Sequence, residues 1–165
     1  MVDAEVSPEL LLALRQLEGQ LGRPAATDLD DGHARWDLYR VALDSVGALP
    51  LLLGAISSEP DSSVASGVVG EVLERVPAAG RQEWVHALVP SARGFSERRS
   101  RELGVLESIR SGDLSAAGAA DLIDDWTDWL QLRVIGAVGD PDVLRLLAER
   151  GRTKRIRHAA REALS

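Results

Sequence analysis

The chain of 165 residues contains no cysteine, which excludes disulfides, thiolate metal sites and cysteine nucleophiles together. Hydrophobic residues make up 45% and charged residues 27%, the balance of a globular protein, and the longest uncharged apolar run, 46–58, is too short to cross a bilayer. The net charge of −7 is unevenly spread: residues 1–140 hold 12 basic and 23 acidic side chains and residues 141–165 hold 7 and 3, so the acidic body argues against a duplex nucleic-acid groove.

Ser7 and Pro8 are the N-cap and first turn of a helix whose apolar face is Leu10, Leu11, Leu14, Leu17 and Leu21. The three acids before Leu10 and the lack of a basic start read as ordinary helix and not as a secretory leader. Gly19, Gly22 and Pro24 close that helix. A polar link leads to a second helix over 33–46, carrying Trp36, Tyr39, Val41, Leu43 and Val46. Pro50 then sits in the first turn of an apolar helix over 48–57. Pro60 and Asp61 break the pattern, Ser62 or Ser63 can cap the next helix, and Val64, Val68, Val69, Val72, Leu73 and Val76 recur at helical spacing.

Beyond Pro77, a short helix carries Trp84, Val85 and Leu88 and ends or bends at Pro90. The segment 96–110 predicts a helix with Leu103, Leu106 and Ile109 as its buried stripe. Ser115 starts another, with a break near Asp125 before residues 127–139. Gly139-Asp140-Pro141 is the firmest turn in the chain. The helix after it is stopped by Gly151, and Thr153 caps the last one. Glycines 54, 67, 70, 104, 118 and 136 fall inside helices at a cost in propensity, which close approach of neighbouring helices would explain. The pattern gives about ten helices in five pairs, 9–46, 48–76, 80–110, 114–138 and 141–165, at the period of helical repeats.

The unit 48–76 resembles one HEAT repeat, the helical hairpin of armadillo-type α-solenoids. Leu49, Pro50, Leu52, Leu53, Asp61, Val64, Val69 and Leu73 carry the resemblance, whereas Ala65 stands where that family often has Arg or Lys. In the last pair, Ile156, Arg157, Ala160 and Leu164 match the second-helix pattern. The resemblance implies an all-α fold: one domain over 1–165, a right-handed superhelical stack of about five HEAT-like hairpins with the second helices lining the concave face. Such a stack leaves an extended surface free, which favours protein binding over chemistry.

Candidate working residues fall into three groups. Asp37 and Asp44, with Glu71 and Glu102, would place acids on second helices. The segment 121–133 concentrates Asp124, Asp125 and Asp128 beside Trp126 and Trp129. If one helix continues through it, Asp124 and Asp128 share a face, as do Trp129 and Arg133. Trp and Arg anchor interfaces, and an Asp-plus-Trp site on a solenoid resembles HEAT-like DNA glycosylases. The competing reading is structural: Trp126 in a core with Leu122, Ile123 and Leu130, and Asp128 capping a new helix. Arg157 and Arg161 share a face of the basic C-terminal run, either as a patch for an acidic partner or phosphate, or as cations at a helix C-terminus paired with the acidic body.

No histidine has metal-ligand spacing, and neither a nucleophile elbow nor a phosphate loop is present. The sequence therefore predicts a cytoplasmic interaction module without cofactor, metal or membrane. The first expectation is an acidic inhibitor or immunity-type protein covering a basic partner such as a nuclease toxin. A glycosylase or lyase using an Asp near Trp126 and Trp129, and an adaptor working through the basic C-terminal repeat, are the alternatives.

Overall fold

The computed structural model describes residues 5–165. It is all-helical, with ten α-helices joined by turns and short 3-10 segments, and no strand occurs among the described residues. The chain divides into two compact units, one ending at Ser100 and the other running from Arg101 to Ser165.

The first unit contains α1 (Pro8–Gln20), α2 (Gly32–Leu43), α3 (Leu49–Ser57), α4 (Ser62–Leu73), α5 (Arg81–Ala87) and the start of α6 (Gly94–Ser111). Ser7 caps α1 as its sequence predicts, the hydroxyl accepting from Leu10 N at 3.1 Å. Leu10, Leu14 and Leu17 are buried against α3, and Leu11 stays exposed. α2 packs on α3 and α4 through Leu38, Tyr39, Ala42 and Leu43, and α5 adds Trp84 and Val85 against α3 and α4. A fully buried Leu or Val in this core contributes about 1.5–3 kcal/mol relative to exposure.

Three local expectations are corrected. α2 ends at Leu43, and Val46 lies in the 3-10 turn beyond it at 85% exposure, so it does not belong to the apolar face. Asp61, not Ser62 or Ser63, caps α4: its carboxylate accepts from Ser63 N at 2.9 Å and Val64 N at 3.2 Å. A carboxylate there also complements the positive end of the helix dipole, which a hydroxyl does less well. Val76 lies past the end of α4, which stops at Leu73.

The second unit contains the rest of α6, then α7 (Ala116–Leu122), α8 (Asp128–Ala137), α9 (Pro141–Arg150) and α10 (Lys154–Leu164). α9 and α10 form a close hairpin, α10 also packs on α8, and α7 packs on α9. Their core gathers Leu106, Ile109, Ile123, Trp126, Leu130, Val134, Val143, Leu147, Ile156 and Ala160. Ser115, Asp140 and Thr153 cap α7, α9 and α10.

The expected reason for the helical glycines holds at only some positions. A Cβ on Gly67 would meet the Trp36 ring at 3.0 Å, and one on Gly70 would touch Phe95 at 3.4 Å, so α4 does let neighbouring rings lie close. Gly118 is crowded by Leu114 of its own preceding turn. A Cβ on Gly54, Gly104 or Gly136 would meet nothing within 4 Å, so no close approach explains those three.

Candidate functional site

A wide concave feature lies on the first unit. A groove of about 900 Å³ runs beside α2 and the end of α4, lined by Trp36, Asp37, Arg40 and Val41 of α2, Asp44 just past its end, Glu71 of α4, Arg75 just past that helix, and Arg23 from the loop after α1. Helical spacing puts these side chains there: Leu38, Tyr39, Ala42 and Leu43 turn inward, so Asp37, Arg40, Val41 and Asp44 take the outer face. Trp36 is half-buried against Gly67, which fixes one wall. A second cavity of about 250 Å³ shares Arg23 and Asp37 with the groove, and its remaining lining joins Pro24, Ala25, Ala26, Leu29, Ala34 and Leu38 with the carboxylates of Glu18 and Asp28.

Asp37, Asp44 and Glu71, three of the acids expected on a working face, therefore do converge. They converge with three arginines that sequence reasoning does not place beside them. Arg75 reaches Glu71 Oε2 at 3.0 Å and Asp44 Oδ1 at 3.7 Å. Arg23, Asp37 and Arg40 are exposed and make no ion pair among the described residues. The groove is thus of mixed charge, although its unit is acidic, with nine basic and fifteen acidic residues over 1–100.

A buried polar cluster supports α2 from behind. Arg35 is 2% exposed, and its guanidinium lies on the Glu59 carboxylate, Nη2 to Oε1 at 2.8 Å and Nε to Oε2 at 2.9 Å. Tyr39 donates its hydroxyl to Glu59 Oε2 at 2.6 Å, and Arg35 Nη1 donates to the carbonyls of Leu29 and Asp30 at 2.9 Å each. Burial pushes the Tyr39 phenol well above its ordinary value, and the hydrogen bond to Glu59 and that carboxylate's charge push the same way. Burial opposes the charge of Arg35, but the hydrogen bond and attraction of Glu59 outweigh it and leave the guanidinium above its usual range. The cluster is closed to solvent and its polar groups are satisfied, so its work is to anchor the loop 29–30 and the start of α4 to α2. Sequence reasoning misses it, because Arg35 and Glu59 are 24 residues apart and neither belongs to a local motif.

In the second unit the helix does not continue through the Asp-Trp segment. A 3-10 turn over 123–125 follows α7, and Thr127, not Asp128, caps α8 by accepting from Leu130 N at 3.3 Å. Asp124 and Asp128 therefore do not stand one turn apart on a common helix. Asp124 is paired with Arg150 at 2.9 Å and Asp128 with Arg152 at 3.2 Å. Trp126 is buried in the core with Ile123 and Leu130, whereas Leu122, expected beside it, is 41% exposed. Trp129 and Arg133 do share a face of α8, the guanidinium 5.3 Å from the ring centroid, in a cation–π contact. Glu102 is buried and accepts a hydrogen bond from Thr127 Oγ1.

The basic C-terminal run is largely engaged within its own unit. Arg157 Nη1 donates to Gly151 O at 2.6 Å and Arg161 Nη2 to Ala148 O at 3.3 Å, so both guanidiniums sit at the C-terminal end of α9. Arg150 donates to Ala120 O in α7, and Arg152 to Trp126 O. Buried Arg81 closes α4 in the same way, through Leu73 O at 2.9 Å. Carbonyls at helix ends lack intrahelical partners and carry the negative end of the dipole, which is where cations stabilise. The basic run thus meets the acids of the Asp-Trp segment and the helix ends, and offers less free charge than its composition implies.

The three histidines are exposed. His86 pairs with Gln82 at 2.8 Å and His158 with Glu162 at 3.3 Å. No group of three or more His, Cys, Asp or Glu able to hold a metal occurs among the described residues, and no helix among them is long and apolar enough to cross a membrane. Compared with known proteins, the chain matches no family model, no curated protein and no solved structure.

Proposed function

We propose that this chain is a non-catalytic protein-interaction module, an inhibitor-like protein that covers a cationic partner with its first unit. The observation that carries the reading is the groove beside α2, where Trp36 and Val41 lie among six charged side chains that nothing in the first unit covers. Trp and Arg are the residue types on which interface energy concentrates. The acidic excess of residues 1–100 speeds encounter with a positively charged surface, and the groove makes the close contact.

The finer architecture proposed is a HEAT-like solenoid. Its support is the packing of helices two apart within each unit: α1 on α3, α3 on α5 and α2 on α4 in the first, α7 on α9 and α8 on α10 in the second. Stacked hairpins produce that pattern. The glycosylase and basic-tail alternatives draw less support, because Trp126 is buried and Asp124, Asp128, Arg157 and Arg161 have partners inside the second unit.

The test is photo-crosslinking from one residue in cells of the source. A benzophenone amino acid at Val41 should capture a specific protein that the same group at Leu122 does not. Association of the purified pair should slow at least tenfold from low to high salt, and Asp37→Lys should weaken it while Arg157→Gln leaves it unchanged. Equal capture from both positions, or binding abolished by Arg157→Gln alone, overturns the reading.

A further inference from the structure

We infer that the groove beside α2 takes an extended polypeptide segment carrying one apolar side chain together with both an acidic and a basic side chain. The inference rests on the reading that this groove is the working surface, and deepens it by assigning the chemistry of the occupant.

The charges of the lining set the first requirement. The groove holds Arg23, Arg40 and Arg75 against Asp37, Asp44 and Glu71. Arg75 is held by Glu71 and, more loosely, by Asp44. What remains for a ligand is two arginines and one aspartate without ion-pair partners, with Asp44 only weakly engaged at 3.7 Å. A purely basic segment would bring its cations up to Arg23 and Arg40. A purely acidic one would bring its carboxylates up to Asp37 and Asp44. Like charges brought together in this way penalise the wrong partner, and complementary ones fix register. A segment bearing both signs satisfies both sets.

The apolar requirement comes from the adjoining cavity. Its volume of about 250 Å³ has room for one large side chain, and its wall sets alanine, proline and leucine beside the carboxylates of Glu18, which Arg15 holds, and Asp28. Arg23 and Asp37 line both cavities, so a side chain seated in the small one leaves its neighbours in the segment beside those two charges. An apolar anchor in a pocket, flanked by charged contacts, is how short segments gain both affinity and specificity.

The probes are fluorescein-labelled eight-residue peptides with blocked ends, in a serine-glycine background, read by fluorescence polarisation at low salt. One set carries leucine, aspartate and lysine at alternate positions, in both orders. The others carry two aspartates, two lysines, or the mixed pair with glycine replacing leucine. One order of the mixed peptide should bind saturably, at least tenfold tighter than either single-sign peptide and than the leucine-free one. Arg40→Glu should weaken it at least tenfold and turn the preference towards the two-lysine peptide, a change of sign that misfolding cannot produce. Arg155→Gln, on α10, should leave it unaltered. A single-sign peptide binding as well as the mixed one, no loss on removing leucine, or no saturable binding overturns the inference. Specific capture from Val41 alongside any of those results would leave the interaction module standing and remove only this occupant.

Discussion

Arg35 and Glu59 form a bidentate ion pair closed off from water, 24 residues apart in sequence, with side chains 3% and 0% exposed. The carboxylate also accepts from Tyr39 Oη and Asp61 N, and the guanidinium also holds the Leu29 and Asp30 carbonyls. Removing one partner of such a pair leaves the other buried and uncompensated. Glu59→Gln or Arg35→Met should therefore destabilise the first unit by about 3–5 kcal/mol. Tyr39→Phe removes one hydrogen bond to a charged acceptor and should cost about 1.5–3 kcal/mol. Urea unfolding read by helical circular dichroism checks all three, and equal losses for Tyr39→Phe and Glu59→Gln would contradict the ranking.

Tyr39 gives the same cluster an optical signal, because it is the only tyrosine in the chain. Its folded-state pKa lies above the ordinary value of 10.0, so the folded protein keeps the proton where the unfolded chain releases it. The stabilisation is therefore fully present below pH 10 and is lost as pH rises beyond it. The slope contributed by this group approaches about 1.4 kcal/mol per pH unit. Phenolate absorbance should be absent from the native protein at about pH 11, and should appear with a midpoint near pH 10 in urea. A native titration near pH 10 would mean that the ring is not held as described.

Gly151 and Gly104 make a matched pair for a backbone prediction within the second unit. A Cβ on Gly151 would stand 2.6 Å from Leu147 O and 2.7 Å from Ile156 Cγ2, and the first of these is backbone that cannot swing away. Gly151→Ala should therefore cost about 1–3 kcal/mol, as overpacked sites do. Gly104, within α6, has open space around its would-be Cβ, so Gly104→Ala should stabilise by about 0.4–1 kcal/mol through helix propensity and unfolded-chain entropy. Thermal melts should move in opposite directions. A Gly151→Ala protein as stable as the parent would show that the α9–α10 turn relaxes easily.

What can be read in the sequence is what local chemistry decides. Ser7 with Pro8, Asp140 with Pro141, and Gly151 with Thr153 each mark a helix boundary within a few residues, and the structure puts boundaries there. Ile156 and Ala160 turn inward because their spacing allows nothing else for an amphipathic helix. The Arg35–Glu59–Tyr39 cluster is not legible, since charge in a sequence does not reveal burial and the pairing closes only when α2, α3 and α4 meet. The basic run misleads in the same way. Its arginines count as surface charge in the sequence, yet several donate to carbonyls at helix ends, for which side-chain reach in three dimensions is needed. The acids of the groove are foreseeable at Asp37, Asp44 and Glu71, but Arg23 and Arg75 come from segments that periodicity does not place beside α2.

Leu52 and Leu53 test how the third helix is oriented. Both fit the apolar pattern of the hairpin, but Leu52 is fully buried and Leu53 only half-buried. Leu52→Ala should cost about 2–5 kcal/mol and Leu53→Ala distinctly less, because a rim site loses less transfer energy and leaves no closed cavity. Denaturant midpoints in the opposite order would place the wrong face of α3 against α1.

Arg157 and Arg155 separate structural from free charge on the same helix. Arg157 donates to Gly151 O at 2.6 Å, while Arg155 is exposed two residues earlier and makes no ion pair among the described residues. Cations at a helix C-terminus stabilise by about 0.3–1 kcal/mol when exposed and up to about 2 when partly buried. Arg157 is half-buried, so Arg157→Gln should lose about 1–2 kcal/mol and Arg155→Gln almost nothing. Salt discriminates further. Screening acts on exposed charges over about 8–10 Å, so the Arg157 contribution should persist in about 0.5 M salt, being a short hydrogen bond in a partly dry site. If both substitutions cost the same, or if the Arg157 loss vanishes in salt, the run is ordinary surface charge and the helix-end role falls. A partner lost with Arg157→Gln at unchanged stability would instead return the basic run to the interface and move the working surface out of the first unit.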